Sequence, residues 1–234
     1  MGSFFLLVIL AIGLFPTDAL SNPEYDMADI KLVYLRRNMD KMKPTILECD
    51  YDIEDNPPYL VLNWFKDDEI VFHWIQGYHP LTTRNFKNSI NTSYVSSEDP
   101  YKKYSALALI NSTIRTTGKY KCEVQTASNI FFRYHRVQVI DLSNYSLDLF
   151  HNNIPNGTQL ECVLTNMYPR PILRILSING DVIKEESNVL ENEDGSFNAT
   201  AVVDVNETRT RSYSCQVFFQ QEIQKVYSLT FNQN

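Results

Sequence analysis

Residues 118–124 read Gly-Lys-Tyr-Lys-Cys-Glu-Val, and in this stretch Tyr120 stands two residues before Cys122. The same offset returns near the end of the chain, where Tyr213 precedes Cys215. In a β-sandwich of the immunoglobulin type, a tyrosine two residues before the second bridging cysteine closes the corner between strands E and F. Two copies of this offset predict an all-β fold with two tandem immunoglobulin-like β-sandwiches.

The four cysteines indicate that the two domains differ in type. They are Cys49, Cys122, Cys162 and Cys215, and three pairings are open in principle. Pairing sequence neighbours, as an inter-sheet bridge from strand B to strand F requires, gives intervals of 73 and 53 residues. Extra strands C′ and C″ lengthen the interval in a variable-type domain. We therefore predict a variable-type domain over residues 20–141 and a constant-like domain over residues 142–234.

Each bridge is expected to pack against a large side chain from strand C. In the first domain this side chain is Trp64, which lies in the apolar run of residues 59–65. The second domain has no tryptophan, so we expect Leu176 to fill the position. Together with Tyr120 and Tyr213, these residues form the predicted core around the two bridges.

Composition excludes several classes of protein. The chain carries 28 acidic and 21 basic side chains, for a net charge of −7, and is 44% hydrophobic. That hydrophobic content is too high for a disordered chain. The acidity, without a block of basic residues, argues against sequence-independent nucleic-acid binding. With only 7 glycines, a glycine-rich phosphate-binding loop is not expected either.

The N-terminus predicts export. An apolar run at residues 4–15 is followed by Pro16 and by small residues up to Ala19, which predicts a signal peptide over residues 1–19. The chain ends without a hydrophobic tail, so we expect a secreted, extracellular protein without a membrane anchor. The predicted glycosylation sites agree with this compartment, and they are Asn91, Asn111, Asn144, Asn156, Asn198 and Asn206.

Several motifs are more specific than the immunoglobulin pattern. They are CDYDIE at 49–54, WFKD at 64–67, FHW at 72–74, YKCEV at 120–124, and YPRP at 168–171 followed by Ile-Asn at 178–179. This series resembles the beaten path family of insect neural immunoglobulin proteins, whereas residues 75–94 depart from that family's proline-rich pattern. The resemblance implies cell recognition in the nervous system, such as axon guidance, by binding sidestep-type immunoglobulin receptors on cell surfaces.

Strand alternation predicts a binding surface on the first domain, the outward side of strands G, F, C and C′, here called the GFCC′ face. On strand C′, the outward pair is either Phe72 and Trp74 or Val71 and His73, and we expect the aromatic pair. Exposed aromatic and arginine side chains are typical interface anchors. None of the glycosylation motifs falls on these strands. The predicted partner-binding residues are Phe65, Phe72, Trp74, Glu123, Gln125, Phe132, Tyr134 and Arg136.

No pattern of catalytic or metal-binding residues stands out. The four histidines form no zinc-binding motif, and paired cysteines cannot act as nucleophiles. We expect neither enzymatic activity nor a metal or cofactor. A basic cluster before strand B predicts contact with an acidic glycan. Exposed charges that only protect an edge strand from aggregation would give the same sequence pattern. Its members are Arg36, Arg37, Lys41 and Lys43.

The sequence therefore favours a secreted recognition protein that binds a cell-surface immunoglobulin-superfamily receptor. Two alternatives stay open, a secreted immune or decoy immunoglobulin protein and a carrier of small apolar ligands. The second alternative requires a cavity, which a sandwich core filled by a disulfide and a tryptophan normally lacks.

Overall fold

A computed structural model describes residues 29–36, 43–53, 56–177, 179–185, 187–206, 212–219 and 230–232. The predicted signal peptide and two of the four residues of the basic cluster, Arg37 and Lys41, lie outside these residues.

Two opposed sheets form the first sandwich. The larger has the order β1-β8-β7-β3-β4-β5, and the smaller pairs β2 with β6. Strand β1 runs parallel to β8, as the first strand of a variable-type domain does beside strand G. The strands are β1 (Asp29–Arg36), β2 (Thr45–Leu47), β3 (Leu60–Lys66), β4 (Glu69–Ile75), β5 (Leu81–Thr82), β6 (Leu107–Leu109), β7 (Gly118–Thr126) and β8 (Ile130–Leu142), with single 3-10 turns at Arg84–Phe86 and Ile114–Thr116.

The second sandwich packs two four-stranded sheets. Their orders are β13-β14-β10-β9 and β12-β11-β15-β16, which is the constant-type division with a short added strand, β12. The strands are β9 (Ser146–Ile154), β10 (Gly157–Met167), β11 (Pro171–Ser177), β12 (Val182–Lys184), β13 (Asn188–Glu191), β14 (Phe197–Val205), β15 (Tyr213–Phe219) and β16 (Thr230–Asn232). The prediction of an all-β tandem immunoglobulin fold is confirmed.

The core of the first sandwich surrounds the Cys49–Cys122 bridge. Trp64 lies opposite Cys122 in the pairing of β3 with β7, and its indole Nε1 donates to the carbonyl of Ser105 at 3.0 Å. The hydroxyl of Tyr120 donates to the carbonyl of Thr116 at 2.9 Å, which ties β7 to the turn before it. Burial raises the pKa of that hydroxyl, so it stays protonated and keeps donating.

The core of the second sandwich surrounds the Cys162–Cys215 bridge, with Tyr213 buried beside it. Here Leu176 is buried, as predicted for a core residue, but the prediction that it packs against the bridge is wrong. Ile175 is the residue opposite Cys215, in the place that Trp64 takes opposite Cys122. Leu176 is one position further along, so it points away from the bridge, although β11 and its neighbours leave it largely buried. A one-residue error in counting along a strand exchanges the two faces.

Between the two sandwiches, the chain passes directly from β8 to β9. The backbone amide of Asp141 donates to the carbonyl of Tyr168 at 2.9 Å, and the ring of Tyr168 packs against the first core. The turn before β14 carries Gly195 at φ +84°, where an added side chain would meet Ile114 of the first sandwich. These contacts tie the constant-like sandwich to the first one, and the predicted boundary near residue 141 stays a prediction.

His135 is a buried titratable group within the first sandwich. Its Nε2 lies 2.7 Å from the carbonyl of Glu48, and its ring lies 5.6 Å from that of Trp64. Nδ1 has no hydrogen-bond partner among the described residues, and the carboxylate of Asp29, itself paired with Lys31, is 3.8 Å away. Burial lowers the pKa of His135 below its ordinary value of 6.5, against the smaller opposing effect of its bond to Glu48.

We expect the first sandwich to lose stability on acidification because of His135. Between pH 6.5 and the lower pKa of the folded state, the unfolded chain binds a proton that the folded chain does not. The contribution is therefore complete above pH 6.5 and declines as the pH falls through that window. Urea unfolding followed by tryptophan fluorescence isolates this sandwich, since both tryptophans, Trp64 and Trp74, lie in it. His135→Gln should flatten the dependence on pH, and an unchanged slope would contradict the assignment.

Candidate functional site on the GFCC′ face

Strand register aligns the outward side chains of β4, β3, β7 and β8 in rows across the GFCC′ face. The middle row is His73, Asn63, Glu123 and Phe132. On one side of it lies the row Ile70, Phe65, Lys121 and Tyr134, and on the other the row Ile75, Val61, Gln125 and Ile130.

Lys121 and Glu123 occupy the centre of the face as an ion pair, with Lys121 Nζ 3.3 Å from the carboxylate. The same ammonium lies 4.3 Å from the ring centroid of Phe65 and 5.6 Å from that of Phe132. A cation placed over aromatic rings is attracted by their negative faces. Because Phe65, Lys121 and Phe132 stand on three neighbouring strands, the sheet holds this cluster in place without a partner.

A second polar pair stands beside the central cluster. His73 Nδ1 lies 2.7 Å from Asn63 Oδ1, so the two side chains form a hydrogen-bonded pair. Leu81 of β5 pairs with His73 in register and is 66% exposed. The polar pair therefore lies between the central cluster and an apolar edge.

Large apolar side chains surround this polar centre. Phe132 is 45% exposed, and four aliphatic side chains on the face are also well exposed, namely Ile70, Ile75, Leu81 and Ile130. Apolar side chains gathered on one face, with a few polar groups among them, are characteristic of protein interaction surfaces.

The prediction that Phe72 and Trp74 point outward is wrong. They pair with Trp64 and Leu62, so they share the inward side, and Trp74 is 1% exposed. Its Nε1 donates to the carbonyl of Tyr78 at 3.1 Å, and its ring meets Tyr104 edge-on at 5.7 Å. A bulge at residue 71 also buries Val71, so simple alternation along β4 fails there, and His73 is the outward residue instead.

The remaining predicted residues do lie on the outward side of their strands. Gln125 and Phe132 are exposed, and the other four, Phe65, Glu123, Tyr134 and Arg136, are half-buried. The predicted set omitted Lys121 and the surrounding aliphatic residues. Because Lys121 lies two residues before Glu123 on β7, strand alternation identifies it as outward. The isoleucines at the ends of β4 and β8 belong to no sequence motif that marks a binding surface.

The predicted glycosylation sites lie away from this face. The amide of Asn91 donates to the carbonyl of Ala108 in β6, and Asn111 follows β6, so both adjoin the opposite sheet. The other four motifs begin after β8 ends, at Asn144, Asn156, Asn198 and Asn206. Glycans on these positions would leave the GFCC′ face accessible, and their presence stays a prediction.

One cleft adjoins the face, with a volume of about 510 Å³. It opens between residues 50–52 and the start of β8, where Arg133 Nε donates to the carbonyl of Asp50 at 3.1 Å. Its lining includes two carboxylates and two cations, from Asp50, Asp52, Lys102 and Arg133. Such a lining does not suit an apolar ligand.

Within the described part of the chain, no group of three or more candidate ligands is placed to hold a metal ion. None of the helices in that part has the length and apolar character needed to cross a membrane.

Comparison with known proteins supports the immunoglobulin assignment. The family model for the Immunoglobulin C1-set domain matches residues 150–222, within the second sandwich. The bovine butyrophilin structure superimposes with a TM-score of 0.61 at 16% identity, covering 87% of this chain and 94% of the other. The chain has a tandem immunoglobulin fold. A chain from the complex of ICOS with ICOS-L and an anti-ICOS-L VNAR domain gives 0.58 at 17%, covering 88% and 100%.

A sequence relative points the same way. Butyrophilin subfamily 2 member A3 of Homo sapiens is 23% identical over 176 residues, or 74% of this tandem immunoglobulin chain. The chain spans 30% of that relative's length. Together with the C1-set match, this similarity supports an immunoglobulin-superfamily protein.

Trp74 and Phe132 were both predicted to point outward, but truncating them should affect the stability of the first domain differently. We expect Trp74→Ala to lower the free energy of unfolding of the first immunoglobulin domain by about 3–5 kcal/mol, because it leaves a cavity in the core. Phe132→Ala should change it by less than about 1 kcal/mol, because the ring is on the surface. Urea unfolding measures both, with the fluorescence of Trp64 as the probe. Equal costs would contradict the placement of these two rings.

Proposed function

We propose that this protein is an extracellular recognition protein that binds an immunoglobulin-superfamily partner through the GFCC′ face. The observation that carries the proposal is the central cluster, in which Lys121 pairs with Glu123 between Phe65 and Phe132. It lies on a rigid sheet, among exposed apolar side chains and away from the glycosylation motifs.

The cluster suits binding for a physical reason. Burial of the surrounding isoleucines and of Phe132 supplies the hydrophobic contribution. The ion pair and the His73–Asn63 pair add direction, because a partner must match their charges and donors. Since neighbouring strands already hold these side chains, less conformational entropy is lost on association than with a flexible loop.

For the partner, we favour a sidestep-type receptor in the nervous system. The beaten path resemblance rests partly on residues that form the centre of the face, since Phe65 belongs to WFKD and both Lys121 and Glu123 belong to YKCEV. In this proposal the protein is secreted after removal of residues 1–19 and guides axons or other neuronal contacts. Arg36 and Lys43, both exposed, would add contact with acidic glycans at cell surfaces.

A second candidate is an immune-type counter-receptor or decoy. It is favoured by the similarity to butyrophilins and to a chain from the ICOS complex. Both candidates use the same kind of surface, so the identity of the partner separates them. The carrier of apolar ligands has less support, because the cleft beside the face has a charged lining.

The first test is a binding screen of the secreted, tagged protein against the ectodomains of insect sidestep-type receptors and of ICOS. We expect a sidestep-type ectodomain to bind, and Phe65→Ala combined with Phe132→Ala to weaken binding by roughly 30-fold, as loss of buried aromatic anchors does. Phe150→Ala is the matched control, because Phe150 is 49% exposed on β9 of the second sandwich.

Each outcome of the screen is informative. Binding to ICOS that is lost with the same aromatic pair would support the second candidate. Binding that survives both aromatic substitutions would place the contact elsewhere and overturn the proposed face. If the folded protein binds no ectodomain of either group, the proposal of an immunoglobulin-superfamily partner fails.

A further inference from the structure

The charges at the centre of the GFCC′ face are complementary to themselves. Lys121 and Glu123 are successive outward residues of β7, about 6.7 Å apart along the strand. Consider a twofold axis that runs parallel to the rows, in the plane of contact, and crosses β7 midway between these two residues. Rotation about this axis places a second copy face to face with the first. This operation places Lys121 of each copy over Glu123 of the other, so four charges alternate in a closed ring.

The same operation also fixes which neighbouring positions face each other. On β8, Phe132 comes to lie over Tyr134 of the second copy, which brings two aromatic rings together. On β3, Asn63 lies over Phe65, and on β4, His73 lies over Ile70. No like charges meet among these rows.

The alternative face-to-face arrangement is unfavourable. A twofold axis along β7 would place Lys121 over Lys121 and Glu123 over Glu123, and like charges in direct contact oppose association. The charge pattern therefore selects the arrangement in which the two β7 strands run in opposite directions.

We infer that the protein forms a face-to-face homodimer through its GFCC′ face, with antiparallel β7 strands and reciprocal Lys121–Glu123 contacts. This inference rests on the proposed function in one respect, since it assigns the same face to a second copy of the chain. Self-association covers the face that a receptor would bind, so a receptor must compete with the second copy.

The size of the face sets the expected strength. Across four strands, the two rows that face each other span about 20 Å by 13 Å, so each copy buries roughly 260 Å² of the sheet plane. This is about a third of the area per partner of a standard stable interface. We therefore expect dissociation constants in the micromolar range or weaker, which a receptor of ordinary affinity can overcome.

Sedimentation velocity from low-micromolar to submillimolar protein tests the inference without any receptor. We expect the glycosylated wild-type protein to dimerise reversibly over this range. Lys121→Glu alone and Glu123→Lys alone should each reduce the association constant by roughly tenfold or more, because each creates two like-charge contacts across the twofold axis. Glu185→Lys is the matched control. It reverses the charge of Glu185, which forms an exposed ion pair with Arg174 in the second sandwich, and it should leave association unchanged.

Mixing the two single variants is the decisive experiment. One variant presents glutamate at both positions and the other lysine at both, so the mixture should associate at least as strongly as the wild type. The double variant, with both charges reversed, should also dimerise. Wild-type protein that stays monomeric at submillimolar concentration, or a mixture no stronger than its components, would overturn the homodimer. Receptor binding is scored separately in the ectodomain screen, so the two proposals fail independently.

Discussion

The GFCC′ face depends on the packing of Trp64 against the Cys49–Cys122 bridge. Because Trp64 lies opposite Cys122 and points into the core, residues 63 and 65 on β3 and residues 121 and 123 on β7 must point outward. The pairing of β3 with β4 then sets the orientation of the side chains on β4. It turns Phe72 and Trp74 into the core and His73 outward. One buried contact between the sheets thus determines which side chains a partner can reach.

The side chains on the inward and outward sides of this sheet make different kinds of contact. Inside, the indole of Trp64 and the hydroxyl of Tyr120 each donate to a backbone carbonyl, so the large aromatic groups leave no unpaired donor. Outside, Phe65 and Phe132 hold the ammonium of Lys121 between them. The outward aromatic rings are expected to add little to folding, and in the proposed function they contact a second surface. A receptor and a second copy of the chain would compete for that contact.

The errors of the sequence-based predictions have one common cause. A strand alternates with a period of two, so an error of one residue exchanges the faces. On β3 and β7, Trp64 and Cys122 anchor the phase, and the outward residues were identified correctly. On β4 no such anchor exists, and the bulge at Val71 interrupts the alternation. On β11 the tryptophan is missing, and the spacing from Cys162 points to Leu176, whereas Ile175 faces the bridge. Register is a property of paired strands, and one strand's sequence does not contain it.

What the sequence determined by itself was therefore the scaffold: all-β, two sandwiches, and a bridge with a tyrosine before its second cysteine in each. Those features follow from local spacing and from residue types that tolerate few alternatives at buried positions. The tertiary structure alone decided that the aromatic rings of β4, Phe72 and Trp74, are buried. It also decided that Lys121, Glu123, Phe65 and Phe132 meet as one cluster, because residues up to 67 positions apart come together only when β3, β7 and β8 pair.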